Sequence, residues 1–249
     1  MKKFSVFLVI LFSFAFVFAA CDNGSTNGGG GGGVGDISGN GSTSLTVADG
    51  DVYLETELGG KILFSLAGPG FTYTFDTICI QRGDSGVDFV DLGALETVKV
   101  VNGKVNINLG TPGPGNMTPI LDFWNFNDSQ EAIDAGFDIN PDDTELFFTI
   151  GFYSSTDDIY LLCMNYDNEN EIISYMGFGY VDKALVIKGS INNGSILGDW
   201  DFNVSKYWNK VFIDMIYDPV TDKTEQNYYT GSPKYQGLKW VLADVFLSY

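Results

Sequence analysis

The chain is 249 residues long and carries 13 Lys and Arg against 32 Asp and Glu, for a formal net charge of −19 with no His. So acidic a surface, with Arg82 the one arginine, lacks the cationic face that nucleic acid requires. The missing histidine removes Ser-His-Asp and Cys-His catalysis, His-based zinc sites and the usual near-neutral proton shuttle. What survives is carboxylate chemistry of the glycosidase kind, or calcium binding through oxygen ligands.

Lys2 and Lys3 open the chain, and residues 5–20 are apolar apart from Ser5 and Ser13. That is the length of a signal-peptide apolar core and short of the roughly 20 apolar residues that span a bilayer. Ala19 and Ala20 place small side chains directly before Cys21. The stretch Phe18-Ala19-Ala20-Cys21 resembles the lipobox of bacterial lipoproteins, with Phe18 where those chains usually have Leu or another aliphatic residue. The resemblance implies a signal peptide over 1–20, cleavage before Cys21, and diacylglycerol on its thiol. It also implies a membrane partner, reached through the lipid, at the cell membrane or outer membrane of an exported protein. Residues 22–44 are Gly, Asn, Asp, Ser and Thr with Val34 and Ile37 the only apolar side chains among them. Such a segment cannot bury enough surface to offset its chain entropy, so a disordered tether is expected over 21–44.

From residue 45 the pattern is period-two alternation cut by Gly, Asn and Asp, the mark of half-buried strands. Strands are expected near 51–57, 61–66 and 72–81. Asn102-Gly103 then stands between two β-branched runs in "VKVVNGKVNINL", the strongest hairpin signal in the chain. The irregular stretch 111–119 reads as an excursion within a domain. In "DFWNFND" the rings of Phe123, Trp124 and Phe126 lie beside Asp122 and Asp128. Rings beside carboxylates are what a sugar platform needs; they serve equally as a plug for the end of a sandwich, and the plug is the favoured reading. "NDSQEAIDAGF" is the one helical segment, capped from Asn127 to Ser129.

"DINPDDTE" sets Asp138, Asn140 and Asp142 at the first, third and fifth positions of a calcium loop. Asp143 then replaces the Gly, and Thr149 the bidentate Glu, of an EF-hand, so only a looser calcium site remains as an alternative to a polar connection. "ELFFTIGF" places Leu146, Phe148, Ile150 and Phe152 on one strand face. Further strands are expected near 158–166, 172–180, 184–191, 210–217 and 222–229. "KWVLADVFL" has two apolar faces and reads as central. Cys79 and Cys163 both sit in apolar strand-like runs. An exported protein permits a bridge between them, and two buried thiols are the other reading.

"GYVDKALVIKGSI", "VSKYWNKVFI" and "GLKW" resemble a C-terminal module of certain bacterial surface lipoproteins. The matching residues are Tyr180 to Lys183, Trp208, Asn209, Val211 and Gly237 to Trp240. Those chains commonly have Gly before the first of these Trp residues, where Tyr207 stands here. The family implies a lipid-anchored β protein and supplies no active site. The chain also ends on an aromatic residue, as outer-membrane barrels do, but its two-sided apolar strands fit a packed interior better.

The expectation is an all-β, antiparallel β-sandwich, as one large module or two small ones over 45–170 and 171–249, behind the tether. Its role is binding or structural at the cell envelope, toward a glycan or protein ligand. The alternative is a carbohydrate-binding or glycosidase-like lipoprotein. No catalytic residue is singled out, and no cofactor beyond the calcium alternative.

Overall fold

A computed structural model describes residues 34–58, 61–81, 87–93, 96–170, 172–192, 196–218, 220 and 223–243. The signal peptide, Cys21 and the tether as far as residue 33 lie outside the described residues. In chain order the strands of the first half are β1 (Asp36–Ser38), β2 (Leu45–Leu58), β3 (Lys61–Leu66), β4 (Tyr73–Phe75), β5 (Thr77–Gln81), β6 (Val87–Asp91), β7 (Thr97–Val101), β8 (Lys104–Leu109) and β9 (Thr118–Pro119). Helices α1 (Ile120–Phe123) and α2 (Ser129–Asp134) follow. Then come β10 (Phe137–Asn140), β11 (Glu145–Ser154), β12 (Ile159–Asp167), β13 (Ile172–Val181), β14 (Leu185–Asn192) and β15 (Ile196–Val204). The series closes with β16 (Tyr207–Asp218), β17 (Lys223–Tyr229) and β18 (Lys239–Ala243).

The all-β, sandwich-like expectation holds. Pairing is antiparallel except where β15 meets β17 and β18 meets β2. The β7–β8 hairpin turns on Asn102 and Gly103 with φ of 53° and 74°, as a two-residue turn between right-twisted strands demands.

Pairings run from β2 to β8, β7, the β4–β5 strand, β11, β12, β18 and back to β2. This circuit surrounds the first core. Every segment of it contributes inward side chains, among them Val47, Ile107, Val98, Phe75, Ile80, Phe152, Leu161 and Leu242. The second core lies across β13 and β16, whose opposite faces serve the two interiors: Phe178 and Phe212 point into the first, Val181, Val211 and Ile213 into the second. That double duty explains why β13 is buried along nearly its whole length. From β16 the sheet continues through β17, β15, β14 and β10, and α1 and α2 supply Ile120, Phe123 and Ala132 to the same core.

Three expectations are corrected. The tether does not extend to residue 44, because residues 34–44 dock on the body: β1 pairs with Thr46 to Ala48 of β2. The Trp240 indole N–H donates to Val34 O at 2.8 Å, and Gly41 N–H to Trp208 O at 2.7 Å. Ile37 packs on the first core. The division at residue 170 falls inside the β12–β13 hairpin, and β18 returns from the C-terminal part to pair with both β12 and β2. Phe152 does not share a face with Leu146, Phe148 and Ile150. A bulge between Thr149 and Gly151 shifts the register, so Phe152 enters the first core while the other three serve the second. Gly151 permits this because a Cβ there would lie 2.4 Å from Leu162 Cδ2 and 2.8 Å from Leu161 O.

Candidate functional site

The excursion between β8 and β10 folds over one end of the second core. Helix α2 starts where the sequence places its cap: Asp128 accepts from the Glu131 N–H at 2.9 Å, and the Glu131 carboxylate accepts from the Asn127 N–H at 2.7 Å. The single turn of α1 ends at Trp124, and Asn125 reverses the chain at a φ of 57°. Phe123 is buried, while Trp124 and Phe126 are half-buried against the second core.

Trp124 is engaged on several sides. Its ring meets Trp200 edge-on with centroids 4.0 Å apart, Phe123 at 4.6 Å, and Phe137 and Tyr228 at 6.3 Å. Trp200 in turn stacks on Tyr228 at 3.7 Å and an interplanar angle of 13°. The three rings singled out in the sequence are thus one side of a larger aromatic cluster. Trp200 and Tyr228 complete it from β15 and β17, where strand alternation reads as ordinary core.

Beneath this cluster is a cavity of about 50 Å³, bounded by Phe123, Trp124, Phe148, Gly179, Trp200 and Tyr228 with aliphatic side chains between them. Gly179 lines the β13 wall, where a Cβ would crowd Val211 Cγ2 at 3.3 Å and touch Phe148 Cδ2 at 3.9 Å. At about 24 cal/mol per Å³, an empty space of this size forgoes roughly 1 kcal/mol of packing. The indole nitrogens of Trp124 and Trp200 are buried without a hydrogen-bond partner. A buried donor left unsatisfied costs about 1–3 kcal/mol. Two such donors, on rings that bound the same cavity, leave this end of the second core incompletely paired.

The calcium candidates lie beside the cap. Asp138 and Asn140 are exposed on β10, where Asp138 stands opposite Lys188 of β14. Asp142 follows the cis Asn140–Pro141 bond and accepts from the Ser129 hydroxyl, and its neighbour Asp143 pairs with Lys183. Among the described residues no group of three or more His, Cys, Asp and Glu converges as a metal set.

Cys79 and Cys163 are both free and buried. Cys79 pairs with Gly151, and Gly151 with Leu162, so two strand spacings of about 4.8 Å separate the cysteines, beyond disulfide reach. Burial pushes the Cys79 thiol up to about 12 and raises that of Cys163 as well, so neither is a nucleophile at neutral pH. Among the described residues the one buried carboxylate is Asp214 on β16, whose Oδ1 accepts from Ser174 Oγ at 2.7 Å.

A second aromatic patch was not legible in the sequence. Phe89 on β6 is 53% exposed, and its ring lies 5.7 Å from Tyr153 and 6.4 Å from Tyr160. The Tyr153 hydroxyl donates to Asp158 at 2.9 Å. These rings come from three strands that only the fold assembles.

The C-terminal motif residues build framework instead. Trp208 pairs with Tyr180 across β16 and β13, and its indole N–H donates to Gly110 O at 2.9 Å. Asn209 closes the β15–β16 turn by donating to Ser205 O and Tyr207 O at 2.6 and 2.8 Å. Tyr207 holds a φ of 80° there, the left-handed conformation that glycine adopts freely. No protein-family profile, curated protein or solved structure matches this chain.

Proposed function

We propose that this is a bacterial envelope lipoprotein, acylated at Cys21, whose β body holds a ligand at the cell surface or in the periplasm. The observation that carries the anchor is the order of residues: an apolar leader, two alanines, Cys21, then a Gly-rich spacer ahead of the β body. The reading of the body as a binder draws on the incomplete aromatic end of the second core, since stability alone favours filling such a space. Metabolic labelling with a radiolabelled fatty acid tests the anchor. Label that enters the wild-type chain and is lost in Cys21→Ala supports it; label that persists in the variant, or never enters, overturns it. Protease shaving of intact cells then separates a surface-exposed body from a periplasmic one.

Carbohydrate capture is the second reading, and the exposed Phe89 ring next to the half-buried Tyr153 ring and the Asp158 carboxylate favours it. Rings stack on the apolar faces of sugars while carboxylates accept from their hydroxyls. A glycan array is the test: hits abolished by Phe89→Ala support this patch, and hits that survive the substitution exclude it.

A further inference from the structure

We propose that the free end of the β2–β3 hairpin is a membrane-contact element, in which Leu58, Leu63 and Leu66 seat at the headgroup level of the bilayer that holds the Cys21 lipid. The inference rests on the acylation reading and adds to it a contact made by the body itself.

Exposed apolar side chains mark the place. Leu58 is 72% exposed, Leu63 44% and Leu66 59%. Among the described residues these are three of the seven large hydrophobic side chains left exposed, all within one hairpin. Thr56 pairs with Leu63 and Leu58 with Lys61, so Leu58 and Leu63 share one face of the hairpin while Leu66 lies on the other. An end that is apolar on both faces suits immersion among headgroups, whereas a protein partner would cover one face.

Charge points the same way. The chain carries −19, yet from Leu58 to Phe75 its one charged residue is Lys61. Lys239 of β18 brings a second ammonium to the hairpin, 5.6 Å from the Phe64 ring. Two cations in a stretch without carboxylates match anionic headgroups, which the rest of so acidic a chain repels. Glu55 and Glu57 precede Leu58 on β2, and β3 has β2 as its one strand neighbour among the described residues. Carboxylates and unpaired backbone groups so close behind hold the contact at headgroup depth, short of the hydrocarbon.

The tether leads to this end. β1 runs antiparallel to β2, with Ser38 opposite Thr46 and Asp36 opposite Ala48. Traced back toward Cys21, the chain therefore advances along β2 in the direction of Leu58. Val34 O has come level with Gly50, where an added Cβ would lie 2.6 Å from it. From Gly50 to Leu58 the strand covers about 26 Å at roughly 3.3 Å per residue. Residues 22–33 cannot span more than about 42 Å. A bilayer that takes the lipid is thus within reach of the leucines as well.

The test uses acylated full-length protein reconstituted into vesicles of phosphatidylethanolamine and phosphatidylglycerol. A nitrobenzoxadiazole label is placed at Leu58→Cys or, for comparison, at Ile133→Cys on α2, which is exposed too. Cys79 and Cys163 are buried and do not compete for the label. External dithionite should reduce the label at position 58 at least several-fold more slowly than the label at position 133. Adding Leu63→Asp and Leu66→Asp should bring the two rates together. Equal rates at the two positions, or protection that survives both aspartates, would overturn the proposal. Protection that appears only at high protein density would assign the open edge of β3 to a second copy and overturn it too. Flotation separates this inference from the reading beneath it. Protein that floats with the vesicles but leaves position 58 in water keeps the anchor and loses the contact; protein that does not float overturns both.

Discussion

Two tryptophans belong to each core, and the four indoles divide by region. Trp208 and Trp240, fully buried in the first core, donate to Gly110 O and Val34 O at 2.9 and 2.8 Å. Trp124 and Trp200, at the capped end of the second core, bound a cavity and have no acceptor. The satisfied pair tie distant pieces of chain together: Trp240 holds Val34, and Trp208 reaches the residue after β8. The unsatisfied pair belong to rings that bound a space with a wholly apolar surface. The contrast separates a frame that has been finished from a compartment that has been left open, within one continuous sheet.

Truncation gives the largest difference between them. Trp208→Ala should lower stability by about 3–5 kcal/mol in urea titration, the range for a fully buried large ring. Trp124→Ala, half-buried beside an existing cavity, should lose well under that. Equal losses would erase the distinction between frame and compartment. Gly151→Ala strikes the bulge by which β11 passes from one core to the other. Its methyl group would meet Leu162 and Leu161 O, and an overpacking loss of about 1–3 kcal/mol is expected.

Removing only the indole N–H sharpens the comparison. Trp208→Phe strands the Gly110 carbonyl and should lose about 1–2 kcal/mol beyond the change in ring size. Trp124→Phe removes a donor that has no acceptor, so its hydrogen-bond contribution should be near zero or slightly favourable. Thermal melts of both variants report the difference.

The smallest expected effect concerns Asp76, at the joint between β4 and β5. Burial pushes its carboxyl up, but hydrogen bonds from the Ser155 hydroxyl and N–H and from Thr77 outweigh this and hold it below its ordinary value. A depressed carboxylate adds stability that is fully present above the unfolded pKa, about 3.9, and lost as pH falls through the lower folded value. The stability gap between wild type and Asp76→Asn should therefore be constant above about pH 5 and shrink below about pH 4. A gap that widens in acid would contradict the assignment.

Much of the frame was legible because its signals are local. Asn102-Gly103 declares its turn in two residues, the alternation in 97–109 declares its faces, and Asp128 declares the start of α2. What escaped depends on distant partners. Residues 34–44 look like unstructured spacer because the groups that hold them belong to Trp208 and Trp240, far away in sequence. The inward turn of Phe152 depends on one bulge at Gly151, which alternation cannot show. The candidate site was half legible: Phe123, Trp124 and Phe126 stand out as rings beside carboxylates, but Trp200 and Tyr228 hide in strands. The space between them is bounded by residues of several strands and of α1, a meeting that no local pattern shows.

The most direct test is the indole region of a ¹H–¹⁵N correlation spectrum of the full-length protein, where the four tryptophans give one signal each. After transfer to D₂O, the signals of Trp208 and Trp240, whose N–H groups are held by carbonyls, should persist while those of Trp124 and Trp200 fade first. Four signals that decay together, or a frame pair that fades first, would contradict a finished frame around an open compartment.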